Sequence, residues 1–353
     1  LVYPTFSARR VRVGNGLVGR VIDALGCPMD GKPTPDWADE TPLMAAPPNP
    51  MARARITEPL ITGVRSIDAC ITTGKGQRVG VMAGTGVGKS KLLGMIARNT
   101  NADLNVIALI GERGREVREF IENDLGESGL ERSIVVVATS NEPALRRISG
   151  AYTATAIAEW FRAQGLDVLL LLDSITRFAM AQREVGLAVG EPPTTKGYPP
   201  SVFSLLPKLL ERAGNDHAGS ITGMYAVLIE GDDFNDPIGD AVRGILDGHV
   251  ALSRDMATRG HFPAVDVLNS ISRSMIEVTS EAHLQLASRM RQIMAAWREA
   301  EDLINIGAYV SGSNPEIDEA IRLMPAIRAF LKQGLMEQTP FDEMLNHMAA
   351  ILR

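Results

Sequence analysis

The chain has 353 residues, 45% of them hydrophobic and 22% charged. That is enough to bury a large core and to build two or three domains. Lys and Arg number 36 against 42 Asp and Glu, a net charge of −6, so nothing global favours a nucleic-acid partner. Two cysteines, Cys27 and Cys70, and five scattered histidines lack metal-ligand spacing, which fits a reducing compartment with no disulfide framework. The longest apolar run, VLLLLD at 168–173, is strand-length, far short of the roughly 18 residues of a membrane span. The chain starts LVYPTFS, with neither Met nor a signal-peptide pattern, and reads as a fragment whose natural N-terminal part was removed.

Residues 10–25, RVRVGNGLVGRVIDAL, alternate polar and apolar residues around Gly and Asn and predict a hairpin. The stretch contains G-x-G-x-x-G at Gly14, Gly16 and Gly19. A dinucleotide fingerprint needs a helix next, and GCPMDGKPTP follows instead, so these read as hairpin glycines. TPLMAAPPNP, ending at Pro50, is a Pro-rich connector. Strand–helix alternation then begins. QRVGVMA (77–83), LNVIALIG (104–111), SIVVVAT (133–139) and DVLLLLD (167–173) read as buried strands. KSKLLGMIARNT, REVREFIENDL (115–125) and AYTATAIAEWFRAQG read as the helices between them. GSITGMYAVLIEG (219–231) and GHVALS (248–253) add strands, while GEPPTTKGYPPSVF (190–203) is too rich in Pro and Gly for an element. That loop either contacts partners or neighbouring subunits, or is simply rigid. Apolar strands alternating with helices predict an α/β fold with a parallel sheet covered on both faces. From about 276 the strands stop, and TSEAHLQLASRMRQIMAAWREAEDLINI begins a helical region with two more helices to the end. The expected organisation is an N-terminal β remnant and linker (1–50), an α/β core (51–275) and a helical domain (276–353).

AGTGVGKS (83–90) lies between an apolar strand and a helix, the context a phosphate-binding loop requires. The first position of that pattern is Ala83 rather than Gly. Gly84, Gly86 and Gly88, with Thr85 and Val87 between them, let backbone N–H groups turn onto phosphate oxygens, and the helix N-terminus adds partial positive charge. Lys89 then reaches the β- and γ-phosphates and Ser90 ligates Mg²⁺. Asp173 ends an apolar strand and suits a carboxylate that holds Mg²⁺ through water; the alternative is an N-cap for the next helix. Glu112 lies just past another strand, where a carboxylate can orient or deprotonate an attacking water; the alternative is a surface residue beside Arg113 and Arg115. Arg273, in LNSISRSM, is either half of an ion pair or an arginine finger supplied to a neighbouring subunit. Phe262, in GHFPAV, either packs in the core or stacks on a base.

Taken in order, these blocks resemble the catalytic subunits of the rotary-ATPase superfamily, and most closely the bacterial type III protein-export ATPases. The blocks that carry the resemblance include TGVRSIDAC, GKGQRVGVMAGTGVGKSKLLGM (74–95), LIGERGREVREF (109–120), LLLLDSITRFAMAQRE (169–184), EGDDFNDPIGD (230–240), HFPAVDV (261–267) and SISR (270–273). GERGREVREF separates the export ATPases from the GERTREG of ATP-synthase β-type chains, and SITRFAMAQRE and TKGYPPSVF look more like the flagellar than the injectisome branch.

The resemblance implies a RecA-like P-loop core with a C-terminal helical domain, the family's N-terminal β-barrel being largely absent. It implies ATP and Mg²⁺ as cofactors and a homohexamer with sites between subunits. It makes Lys89 and Ser90 the phosphate-loop pair, Glu112 the catalytic glutamate, Asp173 the metal-side aspartate and Arg177 an arginine near the γ-phosphate. Arg273 becomes the trans finger, and Phe262 stacks on adenine with Phe330 or Phe341 as a second aromatic. The implied partners are export chaperones and their substrates, stalk and stator-like proteins, and a membrane export gate approached from the cytoplasm. Two other classes compete: a non-catalytic ring subunit, against which Glu112 speaks, and a Rho-like RNA translocase, which the −6 charge disfavours.

Overall fold

Eight strands carry the main sheet: β1 (Arg20–Asp23), β2 (Arg78–Ala83), β3 (Leu104–Ile110), β4 (Ser133–Ala138), β5 (Asp167–Asp173), β6 (Ser220–Leu228), β7 (Gly248–Leu252) and β8 (Val265–Ser272). The computed structural model describes residues 9–229 and 236–353, so 230–235 of the EGDDFNDPIGD block lie outside the described residues. In space the order is β8-β7-β2-β6-β5-β3-β4-β1, and a ninth short strand, Gly214–Asn215, pairs with β6. Every neighbouring pair along that order is parallel except β7 with β8. β3 and β4 are buried at every position and β5 at all but its first, the pattern of strands covered on both faces.

The pleat sorts that apolar run into two cores. Ile107, Leu109, Leu169 and Leu171 face one side, and Val106, Ala108, Leu170 and Leu172 the other. The second side is closed by the helices Ala144–Ala163 and Ile175–Ala188. The first is closed by α1 (Arg65–Cys70), α2 (Lys89–Asn99) and three C-terminal helices, α3 (Glu281–Asn305), α4 (Pro315–Leu331) and α5 (Phe341–Ile351). The caps match the breaks in the sequence pattern: Ser280 accepts from His283 N at 3.2 Å, and Asn314 accepts from Glu316 N at 2.9 Å. The C-terminal helices dock on α1, where His283 Nε2 lies 2.8 Å from the Ala69 carbonyl and Cys70 Sγ lies 3.7 Å from Met290 Sδ.

Residues 10–25 do not form the expected hairpin. Arg10–Val13 pairs antiparallel with Asp39–Pro42, while β1 joins the main sheet beside β4. The connection is a turn of 3-10 helix whose Leu17 is fully buried. A Cβ at Gly16 would lie 2.7 Å from the Asp36 carbonyl, so this glycine serves a close approach to the 36–39 backbone rather than a tight turn. Arg20 then pairs with Asp30 through two hydrogen bonds of 2.7 and 2.8 Å, fixing β1 on the far side. No closed barrel forms among the described residues at this end. GEPPTTKGYPPSVF is likewise not all loop, because Pro200, with its fixed φ, starts the helix Pro200–Leu210.

Candidate active site

The loop after β2 turns into α2 through Gly86 (φ 79°) and Gly88 (φ 89°), left-handed conformations that glycine adopts without strain. Its Gly88 caps α2, so Lys89 and Ser90 open the first helical turn. Ala83 is buried at the end of β2 and hydrogen-bonded to Ile229 N at 2.9 Å, so a methyl group is accommodated there.

Three side chains from three strand ends meet at this loop. Asp173 closes β5 opposite Leu109 of β3, and Glu112 follows β3 by two residues, so both carboxylates leave the sheet at the same edge. Lys89 Nζ forms a close ion pair with Asp173 and lies 3.6 Å from Glu112 Oε1. Asp173 is buried, and Ser174 rather than Asp173 caps the following helix by accepting from Arg177 N. Glu112 keeps only 14% of its side chain exposed and is no surface residue. Burial pushes its carboxyl up to about 7, with Lys89 pulling the other way and Asp173 adding to the rise. Glu116, one helical turn on, hydrogen-bonds the Glu112 carboxyl and is held below the usual range in return. Arg177 packs over Gly111 and its positive charge reaches Glu112. Among the described residues its Nε has no hydrogen-bond partner.

Beside the loop opens a cavity of about 370 Å³ lined by Leu92, Met95, Phe262, Pro263, Gly334 and Leu335, almost wholly apolar. Phe262 is 44% exposed and its ring edge lies 3.5 Å from where a Cβ on Gly88 would be, so it is no core residue. Phe341 does not line this cavity: its ring packs edge-on against His283, 5.7 Å away, because α5 docks on α3. Phe330 is fully buried against His347. The wall comes instead from residues 333–335, between α4 and α5, which carry no motif that marks them in the sequence. A larger cavity, about 460 Å³, lies beyond His261 and Lys332 and holds none of the phosphate-loop residues.

Arg273 is exposed and its side chain makes no ion pair among the described residues. β8 runs antiparallel to β7, with Ser272 opposite Gly248, and Gly248 lies opposite Val79 at the start of β2. Arg273 therefore leaves the sheet at the end opposite the phosphate loop, roughly 17 Å of strand away. The chain does not bring it to its own Lys89.

The family model for the nucleotide-binding domain of the ATP synthase alpha/beta family matches residues 63–272, and that of the T3SS EscN ATPase C-terminal domain matches 279–350. The chain belongs to this family. It is an ATP-hydrolysing enzyme of type III export, and its relatives come from both branches of that group. The flagellum-specific ATP synthase of Bacillus subtilis is 58% identical over 99% of this chain and 80% of its own length. The type 3 secretion system ATPase of Xanthomonas euvesicatoria is 52% identical over 97% of this chain and 77% of its own. Among solved structures, the assembled ATPase EscN from enteropathogenic E. coli superposes with a TM-score of 0.94 at 49% identity, covering 98% of this chain and 84% of that one. EscN in complex with its central stalk EscO gives a TM-score of 0.92 at 48% identity over the same shares. The RecA-like core and helical C-terminal region of this export ATPase follow that architecture.

Proposed function

We propose that this chain is the subunit of a homohexameric Mg²⁺-ATPase that energises flagellar protein export, releasing and unfolding chaperone-bound substrates. One observation carries the reading: Lys89 lies between Glu112 and Asp173 at the mouth of a glycine loop. In the nucleotide-bound site Lys89 turns from Asp173 to the phosphates, while the N–H groups of 84–90 cradle them. Glu112 accepts the proton of the attacking water, and Arg177 steadies charge on the γ-phosphate side. Phe262 stacks on the base. Arg273 of one subunit completes the site of the next, which its place at the far end of the sheet supports.

The donor set fits Mg²⁺, since the Ser90 hydroxyl and the Asp173 carboxylate are hard oxygen ligands at the loop. No cluster of three His, Cys, Asp or Glu side chains occurs among the described residues. When bound, the ion supplies neutralising charge on the β- and γ-oxygens.

We further propose domain limits at 1–50, 51–275 and 276–353, supported by family models that meet between 272 and 279. The flagellar branch is supported by the 58% identity to the Bacillus subtilis relative; other flagellum-specific relatives, at 48–52%, stand level with the secretion ATPase at 52%. A stalk protein, a stator-like protein, the chaperones and a membrane gate approached from the cytoplasmic side are the proposed partners, with no nucleic acid. The stalk is supported by the relative solved with EscO.

The test is ATPase activity per mole across a range of protein concentrations. Activity that climbs with concentration, with Arg273→Ala flat near zero, supports the shared site. Constant activity with Arg273→Ala equal to wild type overturns it.

A further inference from the structure

The wall of the base cavity is a strap, 332–340, that joins α4 to α5. Its central turn is not buried: Gly334, Leu335 and Met336 are exposed. Arg98 of α2 donates to the Leu335 carbonyl, and most of the remaining hydrogen bonds come from one residue at the start of α1. Arg65 Nε donates to the Phe330 carbonyl at 2.8 Å, one terminal nitrogen donates to Thr339 Oγ1 at 2.9 Å and pairs with Glu337, and the other donates to the Lys332 carbonyl. Arg65 N also donates to Gln333 Oε1 at 2.9 Å. Only 10% of the Arg65 side chain is exposed, although Glu337 is 44% exposed.

Gln333 is the second half of the clamp. Its Nε2 donates to the Gly63 carbonyl at 2.8 Å and to the Glu337 carbonyl at 2.9 Å. Its backbone N donates to the Phe262 carbonyl at 3.0 Å, tying the strap to the proposed stacking residue. Glu337 closes the loop by accepting from Gly334 N at 2.8 Å. With both Nε2 hydrogens and one lone pair of Oε1 engaged, the Gln333 side chain has no donor left for a base.

We infer that Arg65 is a positioning residue for the base end of the nucleotide: it touches no nucleotide, but by holding the strap against Phe262 it sets the affinity for the base. This rests on the reading of the Phe262 cavity as the base pocket. It also gives a physical route from the C-terminal helices to the nucleotide, because any shift of α4 or α5 must pull on the strap that Arg65 pins.

The probes are Mg-ADP and Mg-pyrophosphate, which share phosphate contacts and differ in the base, titrated calorimetrically into the full chain. Arg65→Ala should weaken ADP about tenfold and leave pyrophosphate within about twofold. Its ATPase should show a raised KM with kcat held, the signature of lost uniform binding. Arg65→Lys, with charge but no fork, should recover only part of the loss. Should Arg65→Ala not fold, Glu337→Ala removes the exposed partner and should give the same base-selective loss, about threefold. Equal weakening of both ligands, or no weakening while Phe262→Ala still loses ADP alone, overturns the role of Arg65. If Phe262→Ala itself spares ADP, the base-pocket reading falls and the inference falls with it.

Discussion

The two ends of the proposed nucleotide cleft are built in opposite ways. The phosphate end is charged and made of short segments that each follow a strand: 84–90 after β2, Glu112 after β3, Asp173 at the tip of β5. A parallel sheet delivers such strand ends to one edge, so proximity there follows from topology. The proposed base end is apolar and made of distant pieces: Leu92 and Met95 on α2, Phe262 before β8, and a strap some seventy residues beyond. Its position depends on hydrogen bonds from Arg65 and Gln333 rather than on strand order.

Substitutions sharpen that contrast, beginning with the largest effect. Arg273→Ala should cost about 10³–10⁵ in kcat. Mixing it with Glu112→Gln should restore part of the activity, because mixed rings contain some intact interfaces; steady-state assays of the mixture decide it, and no recovery would refute a shared site. Glu112→Gln alone should lower kcat by about 10²–10⁴ while ATP still binds, read by calorimetry. An equal loss of binding would make the residue a ligand contact rather than a base.

A pH effect comes next. Burial raises the Glu112 carboxyl to about 7, so the proposed base should lose activity as it is protonated below that value. The profile of kcat/KM should fall about tenfold per pH unit below 7. A wild-type profile flat from pH 6 to 8 would count against the assignment. The linked stability has the opposite sign: a raised carboxyl favours the fold at low pH and loses that contribution as pH rises through 7.

At the base end the effects are smaller. Phe262→Ala should raise KM by about tenfold, from the loss of stacking worth about 1–3 kcal/mol, with kcat little changed. The smallest change falls outside both ends. Buried Asp68 accepts from Thr62 N, Thr62 Oγ1 and Gly63 N at 2.7–2.9 Å, and burial raises its carboxyl to about 6. Asp68→Asn puts a donor among donors and should cost about 1–3 kcal/mol of stability, measured by denaturant unfolding.

Much of this was legible along the chain. AGTGVGKS, VLLLLDS and LIGERG are local patterns in which an apolar strand, a turn and a polar residue occur in succession, and that succession places them at one edge of the sheet. The α/β alternation and the helical C-terminal region were readable for the same reason, since periodicity is a local property. Tertiary structure alone decided where distant segments meet. It separated Arg10–Val13 from β1, because the partner of each strand lies far away in sequence and Leu17 is buried between them. It turned Phe341 toward His283 and gave its expected place to Gly334 and Leu335, since helix docking sets which side of a helix faces a cavity. It also pinned the strap with Arg65, whose hydrogen-bond partners lie more than 260 residues away. No periodicity encodes such a contact; it exists only once the C-terminal helices have packed on α1.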